Sequence, residues 1–300
     1  MMSRLSTKQK VLLGFGIYIA ITIVIVIATG WHRTSNDEFQ PQNEFKLDDW
    51  VDLGPFSINK AVVYVIVAGI LTCATMIYVA KRMKDKPNRV QTTVEILFNL
   101  MRDNITRGSM DERMAAKWFP FIATIFLFIL FSNLIGYLPM PTNTEHTFHF
   151  LGIDFPSFAL YAATANLSIP LVLAFMVFIA YTVEGVRAKG PIGYLKSLIP
   201  AGVTGGMAAF IFILELFSNV MRLMSLSVRL FANILAGHLI ILFMGGALAV
   251  LLGIAALGWI TVPLGVILFV FEVGLVAGLQ AFIFATLTAI YLGGAVAESH

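Results

Sequence analysis

The feature that most limits how this chain can fold is an apolar run of about one hundred residues near its C-terminus. Between Lys196 and Glu298 only four residues carry a formal charge: Glu215, Arg222, Arg229 and Glu272. About 20 apolar residues already suffice to cross a bilayer, so the run predicts more than one membrane helix. A charge within such a helix is costly and is typical of a functional site. The four charges are therefore the first candidates.

The composition of the whole chain places it in the same class. Hydrophobic residues make up 58% of its 300 residues, charged residues only 12%, and the mean hydropathy is +0.86. These values lie outside the range of a soluble domain and predict one compact integral membrane protein. The net charge of +3 comes from basic loops beside apolar segments, a pattern that sets membrane orientation and does not indicate nucleic-acid binding. The single cysteine, Cys73, excludes a disulfide framework.

Successive apolar segments predict an all-α integral membrane protein with about six membrane helices. The first segment, residues 11–29, fits a signal peptide or an anchoring helix, and its length favours the anchor. Residues 1–60 then form an N-terminal region of anchor and outer acidic loop, and residues 61–300 form the membrane domain. The next three spans are predicted at residues 61–80, 118–139 and 161–183, the last with a kink at Pro170.

Basic and acidic loops alternate and so predict the orientation. The cluster "KRMKDKPNR" after the second span and the basic segment after the fourth face the inner side, whereas the loop between the third and fourth spans has no Lys or Arg. Between the second and third spans, Val90, Val94, Leu97 and Met101 recur at helical spacing. This pattern predicts an amphipathic helix lying at the membrane interface.

The C-terminal part predicts two long, steeply tilted helices that form a hairpin. Residues 203–252 contain no proline, and one straight helix of that length would measure about 75 Å, more than twice the bilayer core. Such a helix must tilt or bend, with Gly245 and Gly246 as the candidate bend. A break around "LGWITVP" separates it from the last helix, and no internal repeat suggests a transporter built from two halves.

The polar residues of the first long helix fall on one face. At about 100° per residue they lie within about 40° of each other and form a stripe about 27 Å long. The stripe comprises Glu215, Arg222, Arg229 and Asn233, with Ser218 beside it. The small residues Ala232 and Ala236 flank the stripe and would let a partner helix approach closely.

The sequence supports different interpretations of the two arginines in the stripe. Arg222 lies nearer the inner end, where it either pairs with Glu215 as a static contact or takes part in a polar path. Arg229 lies deep in the apolar stretch, and no carboxylate lies three or four residues away on either side. The sequence therefore predicts that the partner of Arg229 is on another chain.

Other polar side chains could exchange protons. His238 lies about 180° around the helix from Arg229, and it is either a buried core residue or a proton carrier. Glu272 and Gln280 add polar groups to the last helix, and Asn166 could line water or bond a neighbouring helix. A permanent cation beside a titratable set resembles a proton path. No metal site is predicted, although His146 and His149 have a ligand-like spacing, and no phosphate loop or nucleophile elbow occurs.

Several segments resemble subunit a of the F-type ATP synthase. The most specific are "LSVRLFANILAGHLI" and "LQAFIFATLTAIYL", and the resemblance extends over residues 54–296. It implies that Arg229 is the family's essential arginine, which faces carboxylates on a rotating ring of c subunits. It further implies an outer half-channel lined by Asn233, His238 and Gln280, and an inner one with Glu215, to which we add Arg222 and Ser218, with Asn166 as a further member of the path.

One spacing in the last helix departs from the family's pattern. The family's titratable position on the last helix lies seven residues before the glutamine, whereas Glu272 lies eight residues before Gln280. One residue is about 100° of helix rotation, so the equivalence of Glu272 requires a local bulge or a shifted contact.

The resemblance implies a stationary proton-channel subunit of a rotary ATP synthase, not catalytic by itself and without a cofactor. The implied partners are the c ring, subunit b of the peripheral stalk, the rest of the complex, membrane lipid and the translocated proton. The basic start without a transit peptide favours a bacterial plasma membrane over an organellar one. The alternatives are a secondary transporter of an anionic substrate and a membrane enzyme acting on lipid.

Overall fold

A computed structural model describes residues 49–52, 57–82, 89–150, 153–199, 202–248 and 257–297, together with the helical positions Ala20 and Val24. The predicted anchor helix at 11–29 lies outside the described residues apart from those two positions. The division of the chain at residue 60 stays a prediction.

Five helices in the described part are long and apolar enough to cross a membrane, which confirms the all-α membrane fold. Three of them are single helices: α1 (Lys60–Arg82), α4 (Glu112–Gly136) and α5 (Ser168–Lys189). The fourth has α7 (Gly206–Leu242) as its first part, and the fifth is formed by α8 (Gly258–Phe271) and α9 (Ala277–Val296). Shorter helices are α2 (Arg89–Asn99), α3 (Arg107–Ser109) and α6 (Pro191–Lys196).

Three π-helical turns interrupt or extend these helices. They lie at Leu100–Thr106, Phe243–Ala247 and Glu272–Val276. In a π turn the hydrogen bond spans five residues, so the turn takes up one residue more than an α turn. The second turn contains Gly246 with φ of 141°, a conformation that glycine adopts without strain. The predicted bend at Gly245 and Gly246 is therefore confirmed.

The fourth span begins later than the sequence predicts, at Ser168 instead of residue 161, and it runs on to Lys189. Asn166 Oδ1 accepts a hydrogen bond from the Ser168 amide at 3.0 Å and so satisfies an orphan donor at the helix start. Pro170 falls in the first turn, where its missing N–H costs nothing. The predicted kink at Pro170 is wrong for this reason.

In the described residues, two antiparallel hairpins occupy segments that the sequence predicts to be loops. One pairs β1 (Asp49–Asp52) with β2 (Ser57–Asn59), and the other pairs β3 (Met140–Phe150) with β4 (Ile153–Ala159) between α4 and α5. Threonine and phenylalanine are frequent in the second hairpin and favour strands. Both hairpins lie in segments predicted to face the outer side.

The amphipathic helix predicted between the second and third spans is present as α2 and the π turn that follows it. Leu97 and Met101 pack into the core, whereas Thr92 and Asn99 on the opposite face are exposed. At the end of this segment the Asp111 side chain caps α4 by accepting a hydrogen bond from the Met114 amide. The third span therefore starts at Glu112, earlier than predicted.

Contacts divide the chain into two units, of which the larger comprises residues 47–235 and 273–300. Its core lies between α4, α5, α9 and the facing side of α7. Along α9, an alanine at every fourth position is fully buried, which allows close approach of α4. This row comprises Ala277, Ala281, Ala285 and Ala289. An ion pair between Lys117 Nζ and the buried Glu184 Oε1, at 2.5 Å, ties α4 to α5.

The smaller unit comprises residues 1–46 and 236–272, of which the structure describes mainly the C-terminal part. Here the π turn Phe243–Ala247 packs against α8. Gly265 of α8 approaches the backbone at Met244 and Gly245 so closely that an added Cβ would lie 3.2 Å from the Met244 carbonyl carbon.

Candidate functional site

The inner part of the polar stripe is an internally paired network. Arg222 Nη2 donates to Glu215 Oε1 at 2.9 Å, and Arg222 Nη1 lies 3.5 Å from Asn219 Oδ1. The Arg222 guanidinium also lies over the Tyr291 ring, 6.0 Å from its centroid. The structure thus bears out the pairing of Arg222 with Glu215, one of the two alternatives for this arginine. Its part in a proton path stays a prediction.

This network forms one wall of an open cavity of about 670 Å³ in the larger unit, which we call the vestibule. Its other walls come from the ends of α5, α6 and α9. The polar lining comprises Tyr181, Lys189, Tyr194, Ser197, Glu215, Asn219, Arg222 and Tyr291. A polar cavity of this size has room for several water molecules. Ser218, predicted beside the stripe, is half-buried and does not line the vestibule.

The sequence analysis did not identify Asn219. This side chain is buried, accepts a hydrogen bond from the Tyr181 hydroxyl at 3.3 Å, and donates to the Glu215 carbonyl. Its position four residues after Glu215 on the same helix was a signal that could have found it. Tyr181 comes from a different helix, and no periodicity in the sequence links the two.

Arg229 differs from Arg222 in having no hydrogen-bond or ion-pair partner among the described residues. Its side chain is exposed, and among the described residues no carboxylate or other acceptor lies within hydrogen-bonding or ion-pair distance of its guanidinium. Asn233, one turn further along α7, is exposed as well. A crevice between α7 and α9 brings Arg229 together with Gln280, which is buried. That the partner of Arg229 belongs to another chain stays a prediction.

The smaller unit brings Glu272 against the backbone next to His238. A Cβ added at Gly237 would lie 2.5 Å from Glu272 Oε2 and 2.9 Å from Oε1, so the carboxylate occupies the space that any other residue at 237 would need. His238 follows directly and is buried, with 4% of its surface exposed. Two titratable side chains thus lie near one short stretch of α7.

The π turn Glu272–Val276 begins at Glu272 itself. Because it takes up one extra residue, the eight residues from Glu272 to Gln280 cover the rotation that seven residues cover in a regular helix. The bulge that the register required is therefore confirmed. The role of Glu272 in proton transfer stays a prediction.

The remaining predicted position, Asn166, caps α5 and is half-buried. It also hydrogen-bonds Tyr161, whose pKa is nevertheless raised to about 12 by burial. It lines neither the vestibule nor the crevice at Arg229. Within the described residues no group of three or more His, Cys, Asp or Glu side chains could hold a metal ion.

These features define a class: a multi-pass membrane protein with a fixed positive charge on an exposed helix face and titratable side chains elsewhere along the same helix. Intramembrane charges of this kind are typical of proteins that move ions. The family model described as ATP synthase A chain matches residues 62–293. The chain therefore belongs to the ATP synthase A chain family.

Individual relatives agree with this assignment. A protein named ATP synthase subunit a from Rubrobacter xylanophilus is 35% identical over 238 residues, which cover 79% of this chain and 83% of the relative. Proteins of the same name from Myxococcus xanthus and Maricaulis maris are 33% and 31% identical over 261 and 275 residues, covering 85% and 87% of this chain and 77% and 98% of theirs. The predicted function as the proton-channel subunit is confirmed, and nothing supports a secondary transporter.

The contact between Gly237 and Glu272 makes a first prediction. We expect Gly237→Ala to displace the Glu272 carboxylate, because an added Cβ would overlap it, and to lower ATP-driven proton pumping at least about tenfold. The overlap involves the flexible end of a side chain, so assembly should be unaffected. Pumping is measured by quenching of a pH-sensitive dye in inverted membrane vesicles.

Two variants serve as controls for Gly237→Ala. Gly274→Ala makes the same change in the π turn, where nothing lies within 4 Å of the added Cβ, and should pump normally. Combining Gly237→Ala with Glu272→Asp shortens the displaced side chain and should recover part of the activity. Normal pumping by Gly237→Ala alone would contradict the placement of the Glu272 carboxylate.

Proposed function

We propose that the chain is the stationary, non-catalytic membrane subunit that carries protons to and from a rotating ring through two half-channels that do not meet. The observation that carries the proposal is Arg229, a permanent cation on an exposed helix face with no partner in the described chain. A charge placed there is stabilised when a carboxylate on another chain comes opposite it.

The face around Arg229 suits a moving partner. The neighbouring positions Ser225, Ala232 and Ala236 are small and exposed, so a partner helix can approach the α7 backbone. Nearer the inner end, the exposed positions of α7 are large and apolar, such as Phe210, Ile213 and Phe217. A ring whose carboxylates pass Arg229 one at a time would slide along the small-residue part of this surface.

The vestibule is the proposed inner half-channel. It is open and partly lined by polar side chains, and the basic residues of the adjoining loops support the inner side. Glu215 and Arg222 hold each other in its wall, and Asn219 and Tyr181 extend the hydrogen-bonding surface. A carboxylate that reaches the vestibule meets water and releases its proton there.

The outer half-channel is proposed to include Asn233, His238, Glu272 and Gln280. His238 and Glu272 both titrate, so each can accept a proton from the outer side and pass it on. Asn233 and Gln280 cannot titrate, but their amides can orient water or the partner carboxylate. The proton neutralises the ring carboxylate, which can then enter lipid.

Arg229 separates the two paths by charge. It favours the ionised form of a passing carboxylate and repels a free proton. A second positive charge about 4 Å from it meets about 4 kcal/mol of repulsion at an effective dielectric constant of 20, roughly a thousandfold in rate. Each proton that crosses 100 mV releases about 2.3 kcal/mol, and this barrier reserves that energy for rotation.

The proposed partners are the c ring, which supplies the carboxylates, subunit b of the peripheral stalk, which holds this chain still, and the remainder of the complex. The proposed location is the plasma membrane of a bacterium, supported by its bacterial relatives.

Access to single cysteines tests the two half-channels. With Cys73→Ser as background, we expect Asn219→Cys to react with a membrane-impermeant thiol reagent only from the inner side, because it lines the vestibule. His238→Cys should react only from the outer side. Ile213→Cys lies on the apolar exposed face of α7 and should react from neither side. Reaction of both test cysteines from one side would refute two separate half-channels.

A further inference from the structure

The end of the π turn in the last helix is held by two buried side chains from elsewhere in the larger unit. Asn133 Nδ2 of α4 donates to the carbonyl oxygen of Ala277, the first residue after the turn, at 3.3 Å. The Thr164 hydroxyl donates in turn to Asn133 Oδ1 at 2.8 Å. Both side chains are fully buried, at 0% exposure.

These contacts fix the orientation of the Asn133 amide. The nitrogen donates to a carbonyl, which can only accept, so the reversed amide would set its oxygen against the Ala277 carbonyl oxygen and lose that hydrogen bond. A buried amide without partners costs about 1–3 kcal/mol. Apart from Ser132, the residues around Asn133 in "FLFILFSNLIG" are apolar, and leucine at 133 would avoid that cost. The two hydrogen bonds of Asn133 therefore hold the Ala277 carbonyl in one place, although an apolar side chain at 133 would pack more easily.

Asn133 can reach the main-chain carbonyl of Ala277 because of the alanine row on α9. Ala277 is fully buried and carries only a Cβ, so α4 can approach closely enough for Asn133 to reach the main chain. The side chain of Ser132, next to Asn133, is buried too, but its hydroxyl has no hydrogen-bond partner within the described residues. Of these two neighbouring polar side chains, only Asn133 hydrogen-bonds the α9 backbone.

We propose that Asn133 is a positioning residue that holds the π turn in register and so sets the direction in which Glu272 points, with Thr164 orienting Asn133. A π turn can relax to an α turn by shifting its extra residue along the helix. A fixed hydrogen bond at Ala277 stops the shift at that end, which leaves Glu272 at the start of the turn. The link to proton transfer rests on the proposed function, whereas the geometry does not.

A disulfide reports the position of residue 272 directly. The carboxyl carbon of Glu272 lies 2.6 Å from where a Cβ at 237 would be, so side chains at 237 and 272 point toward each other, as a disulfide requires. In the assembled complex with Cys73→Ser, Gly237→Cys and Glu272→Cys, mild oxidation should form this bond, detected by mass spectrometry. We expect Asn133→Leu to slow its formation at least about tenfold, because disulfide geometry is strict.

Matched variants separate positioning from general damage. Thr164→Ser keeps the hydroxyl and should leave the rate unchanged, whereas Thr164→Val keeps the shape, loses the donor and should slow the reaction. Ser132→Ala, a buried polar deletion at the neighbouring position, should have no effect. If Asn133→Leu does not assemble, the two Thr164 variants decide the question. Equal rates in Thr164→Ser and Thr164→Val would overturn the proposal.

The cross-linking rate requires no proton pumping. It therefore distinguishes failure of this inference from failure of the proposed function: loss of the assigned role of Arg229 would leave the disulfide result standing, and an unchanged disulfide rate would leave the half-channels standing.

Discussion

Arg229→Ala should abolish ATP-driven proton pumping while leaving the passive proton leak intact or raising it. The side chain is exposed and makes no hydrogen bond or ion pair with the described residues, so its removal breaks no internal contact and assembly should be normal. What is lost is the charge that favours the ionised ring carboxylate and blocks direct passage of protons. By the estimate of about 4 kcal/mol, the barrier to leak falls by up to about a thousandfold. Both quantities are measured in membrane vesicles, the leak without ATP.

Arg222→Ala is the matched control for Arg229→Ala. The two arginines lie seven residues apart on one helix face, but Arg222 is paired with Glu215. Its removal leaves the Glu215 carboxylate without that partner beside the open vestibule, where water can solvate it. We expect reduced pumping and no increase in leak. Near-normal pumping by Arg229→Ala would make this arginine structural and refute the proposed mechanism.

Moving the carboxylate of the last helix by one residue should be nearly as damaging. In the double variant Glu272→Val with Val273→Glu the composition is unchanged, and the carboxylate stands seven residues before Gln280, at the spacing usual in the family. Because the π turn takes up one residue, we expect that position to face elsewhere and pumping to fall to the level of Glu272→Ala. The measurement is the initial rate of ATP-driven dye quenching.

Glu272→Asp is the control for the exchange, since it keeps the charge at the start of the π turn and should retain much of the activity. If the exchanged variant pumps like the unaltered chain, spacing along the sequence decides the function and the π turn has no part in it.

Much of the fold was predictable because the bilayer imposes a simple rule. Each span must be apolar over about 20 residues and must satisfy its own backbone, so hydropathy alone located the five spans that the described residues can test. Helix ends were less predictable. The start of α5 depends on Asn166 and Pro170 acting as terminal residues, and Pro170 alone could equally indicate a kink.

The individual candidate residues were also accessible from the sequence. A charge stands out against an apolar background, and a spacing of seven residues places Glu215, Arg222 and Arg229 on one helix face. The pairing of Arg222 with Glu215 followed as one of two alternatives. The need for a bulge near Glu272 followed from counting residues to Gln280, although counting did not reveal what kind of bulge it was.

Contacts between helices were decided only by the tertiary structure. The vestibule combines residues of four helices, and the Glu272 carboxylate lies against Gly237. The hydrogen bonds of Asn133 join α4 to Ala277 of α9 and to Thr164. Sequence periodicity describes one helix at a time, whereas these contacts depend on how close two helices come and how each is rotated about its axis. The sequence by itself thus determined the membrane class, the polar stripe and the isolated charge at Arg229. The structure decided which of those polar groups are paired and which one is left for a partner, because pairing depends on distances that no spacing along one chain contains.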